Sequence, residues 1–394
     1  MKNIFTLLKF LSYRVTKRRP IDRGRPNCVH TISYREFAPR GGKGGAAVQS
    51  CQQILIGEKY DGLSLRYTYF EDNKYFQDWK SRIADLWGAA YFAIKKTSHE
   101  RNAVYITHDF GTGFGLALLG KRFAYVAHLQ GSKVEEKISF NEFLTALDKK
   151  IVQFCERYVL TRASFVCFPS VGAKNYYFSS PYRAAEEWEV KIGPTLHNTL
   201  YVAPEPTPVA EVIERPDCVS FLSVGALTGA KGIDIIPSFI EGYLNKSDNK
   251  VRWIVVGKGS GKRILQENID RLMKIYDNFE GIIIEECPYS TVQYLMGISD
   301  IYIMLHRVSV FDLATLEAMR VGKCVLLSFT GGNVDFNVKN NIVFYKEDIS
   351  VFTEEFMRAD IDKLKQLNRA AYHEYFSPKC FIDAYIGLIN RLLA

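Results

Sequence analysis

The sequence has no long apolar segment. No run among its 394 residues reaches the roughly 18 consecutive apolar residues that a membrane-spanning helix needs. The short apolar stretch at residues 4–13 is interrupted by Lys9 and is followed by basic residues rather than a small-residue cleavage site, which is unlike a signal peptide. We therefore predict a cytoplasmic protein, with peripheral attachment to the inner face of the membrane as an alternative.

The sequence also lacks the patterns of disulfide and metal sites. None of its eight cysteines belongs to a Cys-x-x-Cys pair, and several lie in apolar runs that resemble strands. Such cysteines are typically reduced, buried side chains. No group of His, Asp and Glu shows the spacing of metal ligands. We therefore predict no metal and no resident cofactor.

A charge excess is absent outside the N-terminus. The net charge is +8, yet residues 1–26 alone carry eight basic side chains against one acidic residue, Asp22. Because the rest of the chain is nearly neutral, we predict no nucleic-acid partner. In this N-terminal arm, an amphipathic helix over residues 1–20 either binds an anionic membrane surface or docks on the protein itself. The apolar positions of that helix are Ile4, Leu8, Leu11 and Val15.

From residue 27 onward, apolar strand-like runs alternate with helical patterns in two successive series. The first series begins near residue 29 and the second near residue 219, with a proline-rich segment between them. Near-continuous apolar strands separated by helices indicate parallel sheets that are covered on both faces. We therefore predict an α/β protein with two Rossmann-like domains facing each other across a cleft, at residues 27–205 and 215–377. A last helix at 378–394 is predicted to rejoin the first domain.

Three glycine-rich segments follow predicted strands. Residues 41–45 place four glycines around Lys43, an arrangement that lets backbone N–H groups approach an anion. Residues 257–261 lack the full Gly-x-Gly-x-x-Gly spacing, and no acidic residue follows where nicotinamide-dependent oxidoreductases bind ribose. That class of enzyme is therefore disfavoured. We interpret residues 111–115 as a structural turn.

From Ser223 onward, the chain resembles the donor-binding half of the family 4 retaining glycosyltransferases. Any one matching segment is a weak signal, but five in the family's order are specific. The resemblance implies the GT-B fold, with an acceptor domain at 27–205 and a nucleotide-sugar donor domain at 215–377. The five segments are S-V-G-A-L-T-G-A-K-G at 223–232, I-V-V-G-K-G at 254–259, D-I-Y-I-M-L at 300–305, F-D-L-A-T-L-E-A-M at 311–319 and G-G-N-V-D at 331–335.

The first half resembles the same family less closely. Residues 41–45 correspond to the family's N-terminal glycine loop, so the resemblance implies that Gly42, Gly44 and Gly45 contact the donor. His128 follows a predicted strand and is implied to face the donor sugar as a catalytic residue, although a histidine at a strand end is often structural. Residues 108–109, 156–170 and 197–198 also correspond to family segments.

The resemblance implies charged roles for two residues of the second half. Lys231 is implied to be catalytic and donor-binding, because a fixed cation stabilises the charge that develops on a leaving diphosphate. Glu317 is implied to accept hydrogen bonds from the ribose hydroxyls. A solvated lysine beside a glycine turn and a surface glutamate are the simpler alternatives.

Two positions depart from the family pattern. The family's arginine falls at Ala226, so that Lys43, Lys258 or Arg307 has to supply the missing charge. The family's other glutamate falls at Ser309, which can hydrogen-bond a donor sugar but carries no charge. The start of the following helix, at Phe311, Asp312 and Leu313, is expected to offer backbone N–H groups to the donor. Asp312 is also a favourable N-cap.

Together these features predict a retaining, metal-independent hexosyltransferase. Its expected partners are a nucleoside-diphosphate sugar as co-substrate and a glycan or lipid-linked acceptor, with a role in the synthesis of surface polysaccharide or lipopolysaccharide. The departures at Ala226 and Ser309 leave a second function open. In that alternative the chain is a non-catalytic GT-B subunit that binds a sugar or nucleotide and supports a partner enzyme.

Overall fold

The computed structural model describes most of the chain in two compact units. The first unit contains the described residues between 26 and 197 together with Phe381–Ala394, and the second contains those between 198 and 380. No helix among the described residues is long and apolar enough to cross a membrane. The described residues are 26, 28–33, 64–69, 83–128, 131–139, 143–184, 186–200, 204–209 and 212–394.

The first unit is built on a five-stranded parallel sheet with strand order β2-β1-β3-β4-β5. Strand β1, Cys28–Ser33, is buried along its whole length, as expected for a parallel strand covered on both faces. It pairs with β2 on one side and with β3 on the other. The remaining strands are β2 (Ser64–Tyr69), β3 (Ala103–Thr107), β4 (Phe123–Val126) and β5 (Phe165–Cys167).

Between residues 83 and 184, the described part of the first unit contains five α-helices that connect or follow these strands. Helices α1 (Ala84–Thr97) and α2 (Phe110–Leu118) approach each other closely at Gly115. A Cβ atom added at this glycine would lie only 2.4 Å from the Ala90 carbonyl oxygen, so a larger residue does not fit there. The sequence interpretation of residues 111–115 as a turn is therefore wrong, since these glycines lie inside α2 and allow its contact with α1. The helices are α1 (Ala84–Thr97), α2 (Phe110–Leu118), α3 (Lys133–Ser139), α4 (Ala146–Arg162) and α5 (Val171–Ser179).

The second unit is built on a six-stranded parallel sheet with strand order β11-β10-β9-β6-β7-β8. The order reverses direction at the neighbours β6 and β9, which makes this the topological switch point where open α/β sheets bind ligands. The strands are β6 (Cys218–Val224), β7 (Lys250–Val256), β8 (Phe279–Ile284), β9 (Ile301–Met304), β10 (Cys324–Ser328) and β11 (Ile342–Tyr345).

Helices cover both faces of the second sheet. One core contains the buried side chains of Phe221, Phe239 and Trp253, and the other contains those of Tyr302, Phe336 and Phe376. Alternate residues of the strands contribute to the two cores, which explains why the strands read as continuous apolar runs. The helices are α6 (Ile236–Leu244), α7 (Lys262–Ile275), α8 (Tyr289–Ile298), α9 (Leu313–Arg320), α10 (Ile349–Met357) and α11 (Ile361–Ala371).

The last helix, α12 (Pro378–Leu393), packs on the first sheet although it follows the second unit in the chain. Its buried side chains recur at helical spacing and share a core with Val104 and Val126 of that sheet. The neighbouring residue Tyr105 belongs to the core on the opposite face. The first sheet is thus covered on both faces. The buried α12 residues of this core are Phe381, Tyr385, Leu388, Ile389 and Leu392.

Candidate functional site

The candidate site lies at the carboxyl ends of β6 and β9 in the second unit. The chain leaves β6 through Gly225 and forms a short 3-10 turn, Gly229–Lys231. That turn packs against the backbone that follows β9, since a Cβ atom at Gly232 would lie 1.6 Å from the Leu305 carbonyl oxygen. Gly232 also has a φ of 63°, a left-handed conformation that favours glycine. These close backbone contacts place Lys231 at the switch point of the sheet.

Lys231 contacts two side chains from the segment after β9. Its Nζ lies 3.1 Å from Oδ1 of Asp312 and 3.1 Å from Nε2 of His306. The lysine side chain is 30% exposed, whereas that of the aspartate is 10% exposed. The lysine side chain is therefore the most exposed member of this charged cluster.

Asp312 is the centre of this cluster. It is the N-cap of α9, where its Oδ2 accepts hydrogen bonds from the backbone N–H and the hydroxyl of Thr315, each at 3.1 Å. The hydroxyl of Tyr302 donates to the same oxygen at 3.1 Å. Asp312 therefore combines the capping role that its sequence position predicts with an ion pair to Lys231.

The cluster sets the protonation of its members. Burial alone raises the pKa of Asp312, but the nearby Lys231 and His306 outweigh burial and hold the pKa well below the usual value for aspartate. Burial lowers the pKa of His306, and the charge of Lys231 lowers it further. At neutral pH the cluster thus holds an ionised carboxylate and a neutral imidazole. None of the family-like segments includes His306, although its place just after the buried strand β9 is a usable signal.

Glu317 lies on α9, about one turn after the start of that helix. The side chain is buried, and burial raises its pKa to about 7, against the Tyr289 hydroxyl and the charge of Arg320, which both lower it. A carboxyl group with this pKa is partly protonated at neutral pH. It can accept hydrogen bonds from hydroxyl groups in its ionised form and donate one in its neutral form.

Ser309 lies between the cluster and the glycines that follow β10. Its Oγ is buried and has no hydrogen-bond partner among the residues that the structure describes. Its carbonyl oxygen accepts from the N–H of Gly332 at 2.9 Å, and a Cβ atom at Gly331 would lie 2.1 Å from that oxygen. The backbone contact fixes the position of the serine at this edge of the sheet.

At the start of α9, the side chains of Phe311 and Leu313 are at least partly buried in the core, so the predicted donor contacts there depend on the backbone. The Phe311 ring is buried in the core, 4.4 Å from the ring of Phe336 between centroids, so only its backbone can face a ligand. Leu313 is the first residue of α9 and is partly buried in the same core. The expectation of backbone N–H donors at this helix start therefore does not depend on the two side chains.

The basic residues predicted to replace the arginine missing at Ala226 have carboxylate partners. Lys258 lies 2.9 Å from Glu286, and Arg307 lies 2.7 Å from Asp234. The third candidate, Lys43, is outside the described residues, together with Gly42, Gly44, Gly45 and residues 1–20. In the second unit, the cationic groups near the site are thus balanced by nearby acids.

The glycines at 257–261 have a packing role. A Cβ atom at Gly259 would lie 2.4 Å from the carbonyl oxygen of Leu227, and the N–H of Gly261 donates to that oxygen at 2.8 Å. The Leu227 N–H in turn donates to the Lys258 carbonyl at 3.0 Å. This turn therefore supports the segment that carries Lys231.

In the first unit, His128 is joined to His108. Nδ1 of His108 lies 3.0 Å from Nε2 of His128, and the two rings are stacked. Burial holds the pKa of His108 well below its ordinary value, and His128 lowers it further. Asp109 is the N-cap of α2, where it accepts from the N–H of Thr112 at 2.7 Å. His108 and His128, which follow β3 and β4, are therefore in direct contact.

Glu156 and Ser170, which bound one of the family-like segments, lie in the interior of the first unit. Glu156 accepts a hydrogen bond from the backbone N–H of Lys133 at 2.8 Å, and burial raises its pKa to about 8. Ser170 is the N-cap of α5. Within the described ranges, no group of three or more His, Cys, Asp or Glu residues is arranged to hold a metal ion.

Comparison with protein families finds a match in the second unit. Residues 213–374 match the family described as "Glycosyl transferases group 1". Granule-bound starch synthase 1 of Pisum sativum is 27% identical to this chain over 152 residues. That match covers 39% of this chain and only 24% of the pea protein.

Solved structures show the same fold over nearly the whole chain. Anabaena HepE, determined in complex with UDP and glucose, is 13% identical with a TM-score of 0.58, and the alignment covers 92% of this chain and 99% of that one. The lipopolysaccharide outer core galactosyltransferase WaaB is 17% identical with a TM-score of 0.61 over 92% of this chain and 99% of its own. The fold is therefore GT-B, with two Rossmann-like domains.

Proposed function

We propose that the protein is a glycosyltransferase that moves a sugar from a nucleoside-diphosphate donor to a glycan or lipid-linked acceptor. The observation that carries the proposal is the position of Lys231, whose partly exposed side chain lies at the switch point of a sheet within the segment that matches the glycosyl transferases group 1 family. Breaking a sugar–phosphate bond builds negative charge on the leaving diphosphate. A fixed cation at that place stabilises the transition state more than the ground state.

Other residues at the carboxyl edge of the second sheet are assigned contacts with the donor. Glu317, in its ionised form, accepts hydrogen bonds from the ribose hydroxyls, and Ser309 offers its buried hydroxyl to the donor sugar. The N–H groups at Phe311, Asp312 and Leu313 face the donor from the start of α9. For His128 of the first unit we keep the catalytic role that the family resemblance implies, and in the structure His128 lies 3.0 Å from His108.

We further propose transfer of a hexose with retention of anomeric configuration and without a metal. In such a reaction a donor phosphate oxygen takes the acceptor proton, so no protein general base is assigned. UDP is the first nucleotide to test, because HepE was determined with UDP and glucose. We propose that the acceptor belongs to the synthesis of surface polysaccharide or lipopolysaccharide at the cytoplasmic face of the membrane.

The decisive experiment measures nucleotide binding and transfer with the same protein. We expect one nucleoside diphosphate, among UDP, GDP, ADP and dTDP, to raise the melting temperature by a few degrees at 100 times its Kd, where binding adds about 2.7 kcal/mol. The matching nucleotide sugar should then release its diphosphate in the presence of a glycan acceptor. If none of these nucleotides binds, the proposed donor site is wrong.

Lys231→Ala tests the residue that carries the proposal. We expect sugar transfer to fall about 100-fold or more, the loss typical when a group that stabilises developing charge is removed. Lys246→Ala is the matched control, because Lys246 is an exposed lysine of the same unit that is paired with Glu354 at 3.2 Å and belongs to no predicted donor contact. That control should stay within about threefold of the wild type. Equal activity of Lys231→Ala and wild type removes Lys231 from the mechanism.

A second function is favoured by the balanced charges of the second unit. Lys231, Lys258 and Arg307 each lie within 3.1 Å of a carboxylate oxygen. A site whose cations are already neutralised binds a diphosphate weakly, which suits a non-catalytic GT-B subunit that supports a partner enzyme. Binding of a nucleotide or sugar without transfer to any acceptor, together with activation of a co-purified glycosyltransferase, identifies this function.

A further inference from the structure

Helix α4 of the first unit exposes large apolar side chains. Leu147 is 63% exposed and Phe154 is 57% exposed. They are seven residues apart, which places them on the same side of the helix, about 10 Å from each other along its axis. Phe143, just before the helix, is 72% exposed. Side chains of this size at such exposure cost free energy in water and indicate a surface that is covered in use.

The same side of α4 is basic. Lys150, Arg157 and Arg162 have exposed side chains that lie between or beyond the apolar residues. Arg162 lies over the ring of Tyr158, 5.4 Å from its centroid, and Tyr158 is stacked on Phe154. Leu147, Lys150, Phe154, Arg157 and Arg162 are called the α4 face below.

The acidic residues near α4 neutralise only part of the positive charge on this side of the helix. Asp148 is folded back onto Thr145 in a capping box, and Glu156 is fully buried on the opposite side of the helix. Glu187 pairs with Arg157 at 2.8 Å. Lys150 and Arg162 therefore remain as basic groups on either side of the exposed Phe154.

Helix α7 of the second unit shows that exposed apolar residues alone do not make such a face. Ile264 and Ile275 are 50% and 56% exposed at the two ends of α7. Acidic residues lie between them, and Glu267 pairs with Arg263 at 2.8 Å while Asp270 accepts from Gln266. A helix side with mixed charges is an ordinary solvated surface. This helix supplies the matched control.

We propose that the α4 face binds the surface of an anionic lipid bilayer. Aromatic and leucine side chains enter the boundary between headgroups and acyl chains, while lysine and arginine extend to the anionic headgroups. Each basic side chain near such a surface adds about fivefold to the partition coefficient. The α4 face contains no residue of the N-terminal arm or of the candidate site, so the proposal does not depend on the proposed function.

The test measures binding of the full chain to sedimented vesicles. One vesicle population contains phosphatidylcholine alone, and the other contains phosphatidylcholine mixed with phosphatidylglycerol. We expect the double variant Leu147→Glu/Phe154→Glu to lower the partition coefficient on the mixed vesicles at least roughly tenfold. The control Ile264→Glu/Ile275→Glu, with the same chemistry on α7, should bind like the wild type. Because all four residues are exposed, both variants should keep the wild-type melting temperature.

A charge variant separates the electrostatic contribution to vesicle binding from the apolar contribution. Lys150→Glu/Arg162→Glu should abolish the preference for the mixed vesicles and leave binding to phosphatidylcholine alone within about threefold of the wild type. Wild-type binding by the Leu147→Glu/Phe154→Glu variant, or an equal loss in the α7 control, overturns the proposal. If the wild type dimerises without lipid and the Leu147→Glu/Phe154→Glu variant is monomeric, the α4 face binds a second copy of the chain. In that case the lipid assignment is wrong.

Discussion

At the scale of single residues, the ion pair between Lys231 and Asp312 determines how the candidate site behaves. The carboxylate holds the lysine in place, yet it also occupies the cation that a diphosphate needs. These two effects have opposite consequences for binding. At about 6 Å, a buried carboxylate repels a bound phosphate by ~1 kcal/mol or more at the effective dielectric of a partly exposed site. We therefore expect the repulsion to dominate.

Asp312→Asn measures that repulsion. Asparagine preserves the N-cap of α9 but removes the negative charge. We expect the affinity for the nucleoside diphosphate to rise roughly three- to tenfold, as measured by isothermal titration calorimetry. Tyr302→Phe is the control, since it removes one hydrogen bond to the same carboxylate without changing the charge. Weaker binding by Asp312→Asn means that holding Lys231 in position is the larger effect.

Glu317 gives the site a pH dependence. Its pKa in the folded protein is about 7 against an ordinary value of 4.5, so the folded state favours the protonated form. Its contribution to stability is therefore complete below about pH 4.5 and is lost as the pH rises through about 7. The ionised form, which accepts from ribose hydroxyls, gains population over the upper part of the same range.

We expect nucleotide affinity to rise up to roughly tenfold between about pH 6 and about pH 8, following the ionisation of Glu317. The nucleotide's own phosphate also titrates in this range, so Glu317→Gln serves as the reference with the same ligand. The variant should show only the phosphate contribution. Parallel pH profiles for wild type and Glu317→Gln indicate that the carboxyl group does not contact the nucleotide.

At the scale of elements, the apolar patterns predicted the strands of the second unit well. The apolar runs of the second series correspond to strands such as β6 (Cys218–Val224), β7 (Lys250–Val256) and β9 (Ile301–Met304). Glycine caused the clear error at 111–115, because a glycine-rich segment favours a turn unless a neighbouring helix requires small residues. That requirement arises only when α1 packs against α2.

The contact between α1 and α2 predicts an unusual cost for a small substitution. Gly115→Ala places a Cβ atom 2.4 Å from the Ala90 carbonyl oxygen and 2.8 Å from the Ala93 Cβ, and neither is a flexible side-chain end. We expect a loss of about 1–3 kcal/mol in the free energy of unfolding, since overpacking outweighs the gain of about 1 kcal/mol in helix propensity.

Gly387→Ala is the matched control for this measurement. Gly387 also lies within a helix, but a Cβ atom there has no neighbour within 4 Å. Urea denaturation should therefore show unchanged or slightly higher stability. Equal stability of the two variants contradicts the packing role of Gly115.

At the scale of the whole molecule, each unit has its own core, and α12 belongs to the first although it ends the chain. Leu388 is fully buried against the first sheet, and Leu326 is fully buried in the second. We expect Leu388→Ala to cost about 2–5 kcal/mol and to increase hydrogen exchange in β3 and β4 more than in β6 and β7. Leu326→Ala should show the reverse pattern. Equal loss of protection in both sheets under Leu388→Ala means that the two cores unfold as one.

The sequence by itself determined the α/β class, the parallel sheets, the GT-B fold and the segments that form the carboxyl edge of the second sheet. These features depend on local periodicity and on motifs whose residues are close in the chain. The motifs also singled out Lys231 and Glu317 as candidate site residues.

Only the tertiary structure decided which charges meet. Lys231 and Asp312 are 81 residues apart, and the pairs of Lys258 with Glu286 and of His108 with His128 likewise join separate strand ends. The burial that moves the pKa of Glu317 to about 7 also depends on side chains from α8. Such contacts follow from strand order and from close backbone approach at Gly232 and Gly259, and neither has a local signal in the sequence.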